Sequence, residues 1–170
     1  MKKMLIGCIV MLVSVVCLAE EVSVESTDTT AKKVVTLEDR WGINLNFPGI
    51  GIKYGLSAYH ILELKSQLWE GVFVLGSRYH YNYNPQDQLI FLGGVEIDYI
   101  GFKGASSEGI GLAVGLFIGS EYFVTPNISA GIDIGPTYIT LQDKDTKETE
   151  NGISFVLNIG LTYYFEGGKK

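Results

Sequence analysis

Between residues 40 and 165, large apolar residues recur at every second position in eight successive stretches, separated by short turn-forming segments. The last stretch is the clearest. Ile153, Phe155, Leu157, Ile159, Leu161 and Tyr163 hold its odd positions, while Ser154, Asn158, Gly160 and Thr162 hold most of the even ones. Side chains alternate faces along a strand, so this period of two predicts strands with one apolar face and one small, polar face. The pattern places strands at about 40–47, 50–57, 59–68, 71–83, 88–102, 109–123, 127–141 and 152–165. Pro48-Gly49, Asn84-Pro85-Gln86-Asp87, Thr125-Pro126-Asn127 and the charged segment Gln142 to Asn151 supply the turn chemistry. Pro136 falls inside the seventh strand, where a bulge beside Gly135 would tolerate it. No helical period occurs beyond the N-terminal region. An even number of strands then predicts an all-β fold, an eight-stranded antiparallel barrel with both termini at one end.

Alternation alone does not say which face is outside, because a soluble ligand-binding barrel is apolar within and polar without. Here the polar face is too small and too uncharged for a water-facing surface: Gly111, Ala113, Gly115 and Gly119 supply most of it in strand six. The apolar face is continuous through Ile110, Leu112, Val114, Leu116 and Ile118, then Ile128, Ala130, Ile132 and Ile134. Aromatics gather at its two ends. Trp41, Tyr81, Tyr83, Phe91, Tyr122, Tyr163 and Phe165 fall near the termini, and Phe47, Phe73, Tyr99 and Tyr138 fall at the opposite end. Two aromatic girdles suit a transmembrane β-barrel, whose rings settle at the headgroups. On that reading Leu112→Lys exposes a charge to lipid and costs roughly 2–4 kcal/mol at mid-depth.

The chain has 170 residues and opens with Lys2-Lys3, an apolar run from Met4 to Leu18, and Ala19-Glu20. This reads as a secretory signal peptide over 1–19, cut after Ala19, since the run falls short of the roughly 20 residues of a spanning helix. Lipidation fits poorly: Val16 before Cys17 is not small, and Cys8 has too little apolar sequence ahead of it. Both cysteines leave with the signal, so the mature chain forms no disulfide. Losing Lys2 and Lys3 takes the formal charge from −6 to −8, which argues against nucleic acid as a partner. Residues 20–39 read as a flexible periplasmic N-terminus, 40–166 as the barrel and 167–170 as a polar tail.

With the signal peptide, the alternating strands and the terminal Leu161-Thr162-Tyr163-Tyr164-Phe165, the chain resembles the small eight-stranded outer-membrane barrels, such as the OmpA membrane domain and OmpX. The resemblance implies a location in the cell outer membrane, with outer-membrane lipid around a monomer. It also implies that Phe165 helps the barrel-assembly machinery recognise the chain during biogenesis. Glu166 to Lys170 follow that aromatic and depart from the usual free aromatic end.

The inward face gathers Lys53, Glu63, Lys65, Arg78, Glu96, Asp98, Glu121 and Asp133. An eight-stranded barrel is only wide enough for its side chains to fill, so these charges must pair or find water. With Trp69-Glu70 as the turn, Glu63 faces Gly76 and lies diagonal to Arg78, which predicts that ion pair. A salt-bridged plug is the favoured function of the set, in a structural, envelope-stabilising or loop-presenting protein; a narrow porin-like channel for small solutes is the rival. A lipid-modifying enzyme is the other class. Its chemistry would need His60 or His80, and neither is followed by a recognisable hydrolase motif. No cofactor is expected, as no glycine-rich loop precedes a helix. Asp143, Asp145, Glu148 and Glu150 are not spaced as a calcium loop, so no metal site is assigned.

Overall fold

The computed structural model describes residues 36–104 and 108–166; the expected signal peptide, most of the expected N-terminal segment and the 167–170 tail lie outside the described residues. Eight strands follow one another: β1 (Trp41–Asn46), β2 (Gly49–Gly55), β3 (His60–Trp69), β4 (Val72–Asn82), β5 (Leu89–Lys103), β6 (Glu108–Thr125), β7 (Ile128–Asp143) and β8 (Thr149–Tyr164). Each pairs antiparallel with the next, and β8 pairs with β1 to close the barrel. Among the described residues there is no helix. Closure explains why a period of two suffices as a folding code: around the closed part of the wall each strand has a neighbour on both sides, and each side chain faces either in or out.

Outward positions are mostly apolar and exposed, from Ile43 and Ile52 to Leu116, Ile134 and Leu161, with Ser66, Ser77 and Ser120 as polar exceptions. Inward positions hold the buried polar residues, including Glu63, Arg78, Glu96 and Asn158. The barrel is therefore inside-out relative to a water-soluble one.

Several local details differ from the sequence reading. The β3–β4 hairpin turns at Glu70 and Gly71, both with positive φ (37° and 86°), the geometry of a tight two-residue hairpin in which glycine is favoured. The register moves accordingly: Glu63 pairs directly with Arg78, and Gly76 pairs with Lys65. Pro136 causes no bulge. Leu116 and Phe117 drop out of the β6–β7 ladder there, yet the register is the same on both sides, and the one shift lies between Phe123 and Thr125. Leu37 to Asp39 belong to the barrel rather than to a free N-terminal segment. Leu37 is fully buried, and Asp39 N–H donates to Gly55 O.

Strands of an eight-stranded barrel lean at about 40°, so each step to the next strand also climbs. Following partners from Ile43 through Ile52, Leu64, Ser77, Ile97, Val114 and Tyr138 leads to Ile153. That residue lies far above the β8–β1 seam, where Gly160 pairs with Asn46. On this scale Trp41, Tyr81, Tyr83, Phe91, Tyr122, Tyr163 and Phe165 form one exposed band at the end that holds the termini, the near end. Phe73, Tyr99, Tyr138, Trp69 and Phe155 form a second band about 20 Å away, at the far end. Phe47 does not join it. β1 stops at Asn46, which sets Phe47 about 8 Å below the far band. Leu112, paired with Tyr99, lies level with the far band, and Leu116 is the mid-depth residue of the same strand.

Candidate functional site

The interior is layered. At the near end an apolar floor of Leu37, Ile61, Ile90, Phe123 and Tyr164 closes the barrel, with Phe123 and Tyr164 stacked at 5.6 Å. Arg40 ties this floor shut. Its guanidinium donates to Phe165 O, Pro126 O, Tyr164 O and Asn127 Oδ1 at 2.8–3.1 Å and lies over the Tyr164 ring.

Above the floor, six of the eight inward charges meet in one network, and Lys53 and Glu121 pair apart from it. Arg78 is its centre: Nη2 donates to Asp133 Oδ1 at 2.7 Å, Nη1 lies 3.7 Å from Glu63, and Nε lies 3.0 Å from Glu96 Oε2 without hydrogen-bond alignment. Its flat face rests on the Phe117 ring, 3.9 Å from the centroid. Glu63 Oε2 accepts from His80 Nε2 at 2.9 Å, and its Oε1 accepts from Asn44 and Asn46. Lys65 bridges Glu96 and Asp98, both at 3.1 Å. Lys53 pairs with Glu121 at 3.2 Å, whose other oxygen takes the hydroxyls of Ser129 and Tyr164. Asn158 donates to the same Asp133 oxygen that Arg78 holds. Five acids thus share three strong bases, and amides, hydroxyls and His80 supply the remaining donors. Buried charge is tolerable only with such dense partnering.

Among the network residues lies a small gap. A cavity of about 20 Å³ is lined by Asn44, Lys53, Arg78, Glu121 and Asp133 among others, room for about one water. The side chains of Asn44 Oδ1 and Asp98 Oδ1 lack a protein partner. Glycines make the tight packing possible. A Cβ on Gly76 would meet Asp98 Oδ1, and one on Gly115 would meet the Thr137 hydroxyl and Glu96. Above the network the inward residues turn apolar again. Val74, Ile100, Ile139, Leu141 and Val156 line a partly exposed vestibule, and a Cβ on Gly111 would touch Leu141 and Ile100.

Sequence reasoning named the charges but missed their neutral partners: Asn44, Asn46, Asn158, Ser129, Tyr164 and the Phe117 platform. The first three were findable, since each holds an inward position of its strand. Arg40 was not, because its bonds reach oxygens of the β6–β7 turn and the end of β8, both far away in the sequence. Of the two histidines, His80 is buried against Glu63 and edge-on to Phe117 at 5.0 Å. His60 faces outward and bonds the Tyr79 hydroxyl. The acidic far-end segment folds on itself: Asp143 Oδ1 accepts from the backbone N–H of Asp145 and Thr146, which hold its carboxyl below its ordinary pKa. Among the described residues no group of three or more His, Cys, Asp or Glu could hold a metal.

The geometry has counterparts among solved structures. The crystal structure of Neisserial surface protein A (NspA) superposes with a TM-score of 0.50 at 15% identity, covering 74% of this chain and 92% of that one. The N-terminal β-barrel domain of Pseudomonas aeruginosa OprF gives a TM-score of 0.43 at 17% identity, over 74% and 94%. The fold is that of the eight-stranded barrels. No protein-family model and no curated protein matches the sequence.

Proposed function

We propose that the protein is an integral outer-membrane barrel with a sealed polar lumen, acting as a monomeric structural or loop-presenting element of the envelope. The observation that carries the membrane reading is the outward apolar wall bounded by two aromatic bands about 20 Å apart, near the height of a bilayer-facing band. Depth-dependent substitutions test it. In refolded protein titrated with urea in lipid vesicles, Leu116→Lys is expected to cost about 2–4 kcal/mol, and Leu112→Lys, at the far band, only about 0–1 kcal/mol. Equal, small costs at both sites would overturn the membrane reading.

The sealed lumen rests on the closely paired network and its water-sized gap. An ion would have to displace Arg78 or Lys65 from carboxylates they hold within about 3 Å. Planar-bilayer recording of the refolded barrel tests this. Silent wild type, with discrete openings in Arg78→Ala, is expected; steady conductance in wild type would instead make the protein a channel.

A further inference from the structure

The barrel wall is not of even height. β1 and β2 end at the Phe47-Pro48 turn, about 8 Å below the far aromatic band, while β8 continues upward to Thr149. β1 pairs only with Gly160–Tyr164, and Phe47 N–H reaches Ile159 O. Among the described residues, Asn151–Asn158 therefore has β7 on one side and no strand on the other. The result is a notch in the wall, bounded by the bare β8 edge and by β3, with the Phe47-Pro48 turn as its sill.

The notch has an amphiphile's polarity. Its lower part is a cavity of about 410 Å³ lined mainly by Phe47, Pro48, Ile50, Leu68 and Trp69, with Asn46 and Ser66 as its polar side chains, and Trp69 leans edge-on over Phe47 at 5.6 Å. Inward its base is Asn46, whose amide holds Glu63, and above that level the register places Val156 and the apolar vestibule. Its upper flank is polar. Ile159 O and Phe165 N–H face β1, so the odd residues of β8 turn their backbone groups to that side. Ile153 and Phe155 thus present amide and carbonyl groups at the level of the far band, and only Leu157 does so below it. An open strand edge has no place deep in hydrocarbon, but at headgroup height ester and phosphate oxygens can take its donors.

We infer that the notch holds an acyl-chain lipid of the far-end leaflet. Its head lies against the β8 edge at Ile153 and Phe155, and one acyl chain descends past Trp69 over the Phe47-Pro48 sill towards Val156. This inference rests on the membrane reading above. No charged residue lines the cavity, so the chain rather than a head charge supplies most of the recognition.

The mature chain has two tryptophans, so a Trp41→Phe, Trp69→Phe background is dark and accepts one indole at a time. In that background Val156→Trp points an indole inward beside the notch, Ile139→Trp places a second inward probe, and Leu116→Trp is an outward reference. Each is refolded, checked for β structure by circular dichroism, and reconstituted in phosphatidylcholine brominated in mid-chain. Loss of Val156→Trp emission comparable to that of Leu116→Trp, reduced when Ser66→Phe fills the notch, is expected. Quenching of Leu116→Trp alone, or of the inward probes only by aqueous acrylamide, would overturn the lipid and leave the membrane reading standing. Inward quenching that Ser66→Phe leaves unchanged would also overturn it, by routing the chain over the rim. No quenching at any site would overturn the membrane reading itself. If Val156→Trp fails to fold, Ile139→Trp carries the same comparison.

Discussion

Arg78→Met is expected to destabilise the folded barrel by about 3–5 kcal/mol, because it leaves buried carboxylates without their shared cation. Glu63, Glu96 and Asp133 all lean on this one guanidinium. Glu63 would keep His80, Asn44 and Asn46, and Glu96 would keep Lys65, but Asp133 would retain only Asn158. Methionine preserves much of the volume and the contact with Phe117, so the loss reports charge rather than a hole. Equilibrium urea unfolding in lipid vesicles measures it. A double change, Arg78→Met with Asp133→Asn, should recover part of the loss, since it removes the worst-placed charge as well. If the single variant costs under about 1 kcal/mol, the network is not the electrostatic lock its geometry describes.

Tyr164→Ala is expected to cost about 3–5 kcal/mol through the cavity it leaves in the near-end floor. Tyr164 is wholly buried, stacks on Phe123, lies under the Arg40 guanidinium and donates its hydroxyl to Glu121. Tyr164→Phe separates the contributions. It keeps the ring and removes one of three donors to Glu121, whose Lys53 and Ser129 partners remain, so a loss of about 1–3 kcal/mol is expected. The same unfolding titration reads both, and equal losses would assign the residue's value to its hydroxyl alone.

Much of this fold was legible because a barrel strand carries its instructions locally. Lys53, Glu63, Lys65, Arg78, Glu96 and Asp98 could be assigned to the interior from parity alone, since each sits out of phase with the large apolar residues of its strand. Parity says nothing about who meets whom. Misplacing the β3–β4 turn by one residue moved Glu63 from Arg78 to Gly76, and only the paired positive φ values of Glu70 and Gly71 fix that turn. Phe47 illustrates the same limit vertically. Its outward position follows from β1, but its height depends on how far the other strands climb.

The sequence by itself determined the number of strands, which face of each is apolar, the acidic interior and the aromatic character of both ends. These follow from a period of two, which needs no partner to be read. Only the tertiary structure decided the Arg78-centred pairing, the apolar floor held by Leu37, Tyr164 and Arg40, and the notch above Phe47. Each depends on register summed around eight leaning strands and fixed at the seam where Asn46 meets Gly160, a contact between residues far apart in the chain that no local pattern encodes.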